Sequence, residues 1–125
     1  MEHPDSDLRV AEHNANNMWP TPLEIICFHC QQAVEKYLKG FLVFHGETPP
    51  RIHELDELCK RCKSIEPLFT QVADVCSRLT QYGVQPRYPS EMSLNKDDML
   101  RALHDAQAVS AFMRQNAPKL FQPDA

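Results

Sequence analysis

The chain has 125 residues, enough for one domain with a real hydrophobic core, and carries a net charge of −4 with 24% of its residues charged. That acidic balance argues against generic binding to duplex nucleic acid, which needs a broad basic footprint, yet leaves room for a local basic groove. No stretch approaches the run of about 18 apolar residues that a membrane span needs, and Met1-Glu2-His3-Pro4-Asp5 has neither the basic region nor the apolar run of a signal peptide. Five cysteines, an odd number without an export signal, fit reduced thiols in a cytoplasm better than a disulfide framework.

Only three glycines occur against ten prolines, and period-two stretches are scarce, so proline is the punctuation that cuts the chain into helices. A first helix is predicted from about Asp5 to Met18, capped by Asp5 or Ser6, with Leu8, Ala11, Ala15 and Met18 as its stripe. Trp19-Pro20-Thr21-Pro22 breaks it; the tryptophan either covers the open end of the bundle or marks a partner surface. The central helix, about Leu23 to His45, holds the longest unbroken helical period, with Cys27, Cys30, Val34, Tyr37, Leu38, Phe41 and Phe44 spaced three or four apart. Glu35 and Lys39 stand four apart in the favourable order, and Gly46 followed by Pro49 and Pro50 supplies the stop.

A short helix follows from about His53 to Ser64. Glu54, Asp56 and Glu57 suit its positive end, Lys60, Arg61 and Lys63 its negative end, and Leu55, Leu58, Cys59 and Cys62 form its stripe. A fourth helix starts near Glu66-Pro67 and carries Leu68, Val72, Val75, Cys76 and Leu79 to about Tyr82. Residues 83–91 are too rich in proline to be helical. The last helix opens at Asn95, an N-cap with Asp98 three residues on, and buries Met99, Leu103, Ala106, Ser110 and Met113 before Pro118. The expected fold is all-α: an antiparallel up-and-down bundle of four main helices plus one short helix. A single domain spans 1–125, with its core at about 7–115 and residues 118–125 frayed.

Cys27-x-x-Cys30 and Cys59-x-x-Cys62 invite a zinc reading, because tetrahedral zinc takes four thiolates in two pairs. The gap between the pairs is wider than usual, no glycine-rich turn follows either pair, and both fall on the apolar stripe of a helix. Cysteine there behaves as a small hydrophobe, so core packing is the preferred reading and no metal or cofactor is expected.

The run from Cys27 to Leu42, Cys-Phe-His-Cys-Gln-Gln-Ala-Val-Glu-Lys-Tyr-Leu-Lys-Gly-Phe-Leu, resembles the signature helix of HEPN domains, FHxQQAxEKxLKAxL. His45-Gly46-Glu47-Thr48-Pro49-Pro50 resembles the family's HGxxPP turn, His53-Glu54-Leu55 its H-D/E-L segment, and Arg87-Tyr88-Pro89 its RYP segment. The resemblance covers about Asp7 to Gln115. It implies a helical bundle that forms a homodimer, partners a minimal nucleotidyltransferase protein in two-component or toxin–antitoxin pairs, and binds nucleotide. A large subset of the superfamily are metal-independent ribonucleases with an Arg-x4–6-His motif, the arginine holding the scissile phosphate and the histidine moving the 2′-hydroxyl proton. Here the positions reached from Arg87 across four to six intervening residues hold Met92, Ser93 and Leu94, and neither Arg9 with His13 nor Arg101 with His104 has the spacing. A non-catalytic binding module is therefore expected, with a divergent ribonuclease using Arg87 and His104 or His53 as the alternative.

Arg87 is the candidate for an anion or nucleotide phosphate, with Tyr88 able to stack on a base. The competing reading has Arg87 paired with a carboxylate and Tyr88 at the core edge. Lys36 and Lys39, with Gln32 and Glu35, lie on the outer side of the central helix, where they line a groove with Arg87, meet a second subunit, or form a solvated face of salt bridges. His53 is a further candidate, set against a role as cap or core-edge hydrogen bond.

Overall fold

The computed structural model describes residues 5–17, 23–83 and 94–121. In chain order they form α1 (Ser6–Asn17), α2 (Leu23–Phe44), α3 (Leu55–Ile65), a 3₁₀ turn (Pro67–Val72), α4 (Ala73–Leu79), a second 3₁₀ turn (Thr80–Tyr82), α5 (Lys96–Asn116) and a third (Pro118–Phe121). No helix of the described residues is long and apolar enough to cross a membrane.

Side-chain pairs fix the direction of each element. Asp5 meets Arg114 and Glu12 meets Gln107, so α1 runs against α5. Phe69 stacks on Phe112 at 5.0 Å and Arg78 binds Asp105, so the segment containing α4 also runs against α5. Phe69 lies 4.6 Å from Phe41 at one end of α2, and Gly83 lies beside Gln31 nearer the other. The four main segments thus alternate in direction, as an up-and-down bundle requires. The short helix α3 runs beside α2 in the same sense: the His53 carbonyl accepts from Gln31, and Cys62 Sγ reaches the Leu38 carbonyl at 3.4 Å. Residues 45–54 must carry the chain back along α2 before α3 starts. Gly46, at φ 79°, makes that reversal possible. Glu47 N–H donates to Leu42 O and Gly46 N–H to Val43 O, closing the end of α2 in the manner of a Schellman motif.

The core is built on the stripe of α2. Ile26, Cys27, Cys30, Val34, Tyr37 and Leu38 are fully buried, with Leu55 and Leu58 from α3, Leu79 from α4, and Met99 and Met113 from α5.

The fourth predicted helix is three short pieces. Glu66 caps Pro67–Val72 by accepting from Leu68 N–H, and Val72, at φ −113° and ψ 7°, breaks the winding before α4. A 3₁₀ turn brings residues three apart onto one side, and here these are Phe69 and Val72, both buried. Leu68, expected on the stripe, is 44% exposed. α3 begins at Leu55 rather than His53, and Thr80 Oγ1 accepts the Leu55 N–H. Of the tail expected to fray, Pro118–Phe121 forms a turn whose Phe121 ring stands 5.9 Å from Tyr37 and under the Arg114 guanidinium at 4.2 Å. An aromatic anchor at position 121 outweighs the fraying tendency of a terminus.

Candidate functional site

At 3.6 residues per turn, His29, Gln31, Gln32, Glu35, Lys36 and Lys39 fall in one sector of α2, bordering its core stripe. Two of these polar side chains are buried nonetheless: Gln31 is fully enclosed and Glu35 is 6% exposed. Burial of such groups is costly unless each finds partners. Gln31 Nε2 donates to the His53 carbonyl at 3.0 Å, and its Oε1 accepts from Gln32 Nε2 at 2.8 Å. Gly83 closes over this amide; a Cβ there would come within 3.2 Å of Gln31 Nε2.

Glu35 is the hub. His53 Nδ1 lies 2.9 and 3.1 Å from its two oxygens, and Lys39 Nζ lies 3.3 Å from Oε2. With Nδ1 turned to a buried carboxylate, the other ring nitrogen of the 69%-exposed His53 side chain is the one left to meet an incoming group. A second carboxylate, Asp7 of α1, takes His29 Nδ1 at 2.8 Å and Lys36 Nζ at 2.5 Å. Just beyond, Asp5 accepts from Tyr37 Oη at 2.5 Å and pairs with Arg114. Burial first, and the bond to Asp5 second, push the Tyr37 phenol above its ordinary range.

The structure therefore brings Lys39 and His53 together at Glu35 but sends Lys36 to Asp7. Arg87 and Tyr88 lie outside the described residues, as does Trp19. Arg101 and His104 are both exposed on α5, and Arg101 lines a cleft of about 340 Å³ with Arg78, Tyr82, Asp98 and Asp105. Sequence reasoning missed Glu35 as a hub and the bidentate Arg78–Asp105 pair, at 3.0 and 2.9 Å. A signal for Glu35 was present: Gln31, Glu35, Leu38 and Leu42 form one row along α2, and both leucines are core residues.

The thiols named as a zinc set do not converge. Cys62 Sγ turns to the Leu38 carbonyl, Cys59 Sγ donates to the Phe69 carbonyl at 3.6 Å, and among the described residues no group of three or more His, Cys, Asp or Glu could hold a metal. Burial pushes the Cys27 and Cys62 thiols up to about 12, and Cys30 further, the opposite of what a thiolate ligand needs.

Among the curated proteins and the solved structures no match to this chain is found. A family model described as the HEPN domain matches residues 1–116. That span takes in all five helices, from the Asp5 and Asp7 anchors of α1 to the last residue of α5, so the bundle and its polar α2 face lie within the match. This chain belongs to the HEPN domain family.

Proposed function

We propose that the chain is a non-catalytic HEPN binding module, which works as a homodimer, partners a minimal nucleotidyltransferase in a two-component or toxin–antitoxin-like system, and takes up a nucleotide. One observation carries this reading. The lysines of the α2 polar face are matched by carboxylates of the same chain, Lys36 by Asp7 and Lys39 by Glu35, which also takes the His53 ring. A face of matched charges suits docking to a structured partner better than tracking an RNA backbone, which needs unneutralised cations. The sequence adds that no arginine is followed by histidine at the ribonuclease spacing.

Native mass spectrometry with and without ATP tests the module directly. A dimer that gains nucleotide, and loses that gain in Arg87→Ala, is the expected result; a monomer that ignores nucleotide and a co-expressed minimal nucleotidyltransferase sinks it. A second reading, a divergent ribonuclease, draws on the exposed His53 imidazole oriented by Glu35, an arrangement able to move a proton. RNA cleavage abolished by His53→Ala would establish that reading in place of the first.

A further inference from the structure

The fifth cysteine, Cys76, has no place in the paired Cys-x-x-Cys pattern, and the fold gives it a partner. α3 and α4 lie side by side in opposite directions. Their register is pinned by Leu55 N–H to Thr80 Oγ1 at 3.1 Å and by Ser77 Oγ to Asp56 Oδ1 at 2.6 Å. One turn on from Leu55 is Cys59, and one turn back from Thr80 is Cys76. Antiparallel register therefore sets these two cysteines opposite each other across the α3–α4 seam, where the Cys76 thiol can bond to Cys59. The geometry points to Cys59 and Cys76 as an oxidisable thiol pair, a modification site at which peroxide converts two buried thiols into a disulfide that staples α3 to α4.

The two sulfurs are not equivalent. The bond from Cys76 lowers the Cys59 thiol below its usual range, aided by Lys63 one turn along and opposed by burial and Asp56; the same bond and burial raise Cys76. Cys59 is thus the attacking sulfur and Cys76 the resolving one. The Cys59 thiolate attacks one peroxide oxygen; an S–O bond forms, the O–O bond breaks, and the departing hydroxide takes the Cys59 proton as water. Cys76 sulfur then attacks Cys59 Sγ, the S–S bond forms, the S–O bond breaks, and the second hydroxide leaves with the Cys76 proton. Two electrons and two thiol hydrogens pass to peroxide, and two waters result.

Access is through α4. That helix has seven residues between two 3₁₀ turns, so its backbone ladder is short and local opening exposes the pair. Cys62 stays out of the reaction because it shares a helix with Cys59 and turns to the Leu38 carbonyl.

The test treats the reduced full chain with hydrogen peroxide and maps disulfides by proteolysis and mass spectrometry. The expected product is an intramolecular Cys59–Cys76 link, a Tm raised by roughly 10 °C and slower amide exchange in α4, all reversed by dithiothreitol. Cys62→Ser should still form the link; Cys59→Ser and Cys76→Ser should not. A product joining other cysteines, or joining two chains, or overoxidation of Cys59 without a link, overturns the proposal. Because mapping the unmodified protein needs no variant, a variant that fails to fold does not blunt the test. The proposal stands apart from nucleotide or partner binding.

Discussion

Glu35 shows how a single carboxylate organises a surface. It is nearly out of water, yet two basic groups and a buried amide sit around it, with Gln31 Nε2 3.4 Å from its Oε1. Truncation to alanine removes the acceptor shared by Lys39, His53 and the enclosed Gln31 amide, and Glu35→Ala should cost about 2–3 kcal/mol. Lys39→Ala removes only a partly exposed ion pair and should cost less than about 1 kcal/mol. Urea denaturation of the two variants checks the order; a lysine loss equal to the glutamate loss would show that Glu35 is no hub. Tyr37→Phe should cost about 1 kcal/mol, since Asp5 keeps Arg114 when the phenol is gone.

At the scale of elements, α5 and α2 make opposite predictions. Asn95 Oδ1 accepts the Asp98 N–H at 2.9 Å, and Asp98 Oδ2 accepts the Asn95 N–H at 3.1 Å, a complete capping box. Asn95→Ala should lower stability by about 1 kcal/mol and raise amide exchange in the first turn of α5. Gly40 lies inside α2, where glycine weakens a helix, and a Cβ added to it would meet no neighbour within 4 Å. Gly40→Ala should therefore raise stability by about 1 kcal/mol, read as a higher urea midpoint. A drop instead would mean that the Gly40 backbone must stay open to a second molecule. The capping box was legible in the sequence, in the Asn95-x-x-Asp98 spacing of a helix start. The three-piece segment around α4 was not, because the choice between Leu68 and Phe69 as the inward side chain depends on the gap between Phe41 and Phe112.

For the whole molecule, the buried thiols set the response to alkali. Cys27 and Cys62 titrate near 12 in the folded chain against 9.0 for an ordinary thiol, and Cys30 is raised in the same direction. The folded state thus holds protons that the unfolded state has already released. The stability from each thiol is complete below pH 9 and drains as pH rises toward the folded value, at up to about 1.4 kcal/mol per pH unit for each. Tyr37 works in the same sense above its own ordinary range. Urea midpoints should fall steeply between about pH 9 and 11, and Cys62→Ser should show a shallower fall. A flat profile would mean that these thiols meet solvent in the folded state.

Local rules alone determined the helices and their order in this protein. Period, caps and prolines act within a few residues, and they are enough to place α1, α2, α3 and α5 to within a turn at their ends. The HEPN resemblance is likewise local, carried by short runs along α2 and the turn after it. Tertiary structure alone decided which polar residues meet. The pairs that make the candidate face, Glu35 with His53, Asp7 with His29 and Lys36, and Asp5 with Tyr37 and Arg114, join residues of different segments of the chain. The Cys59–Cys76 contact has the same origin. Such contacts depend on how helices are set against one another, and no spacing along a single helix encodes that.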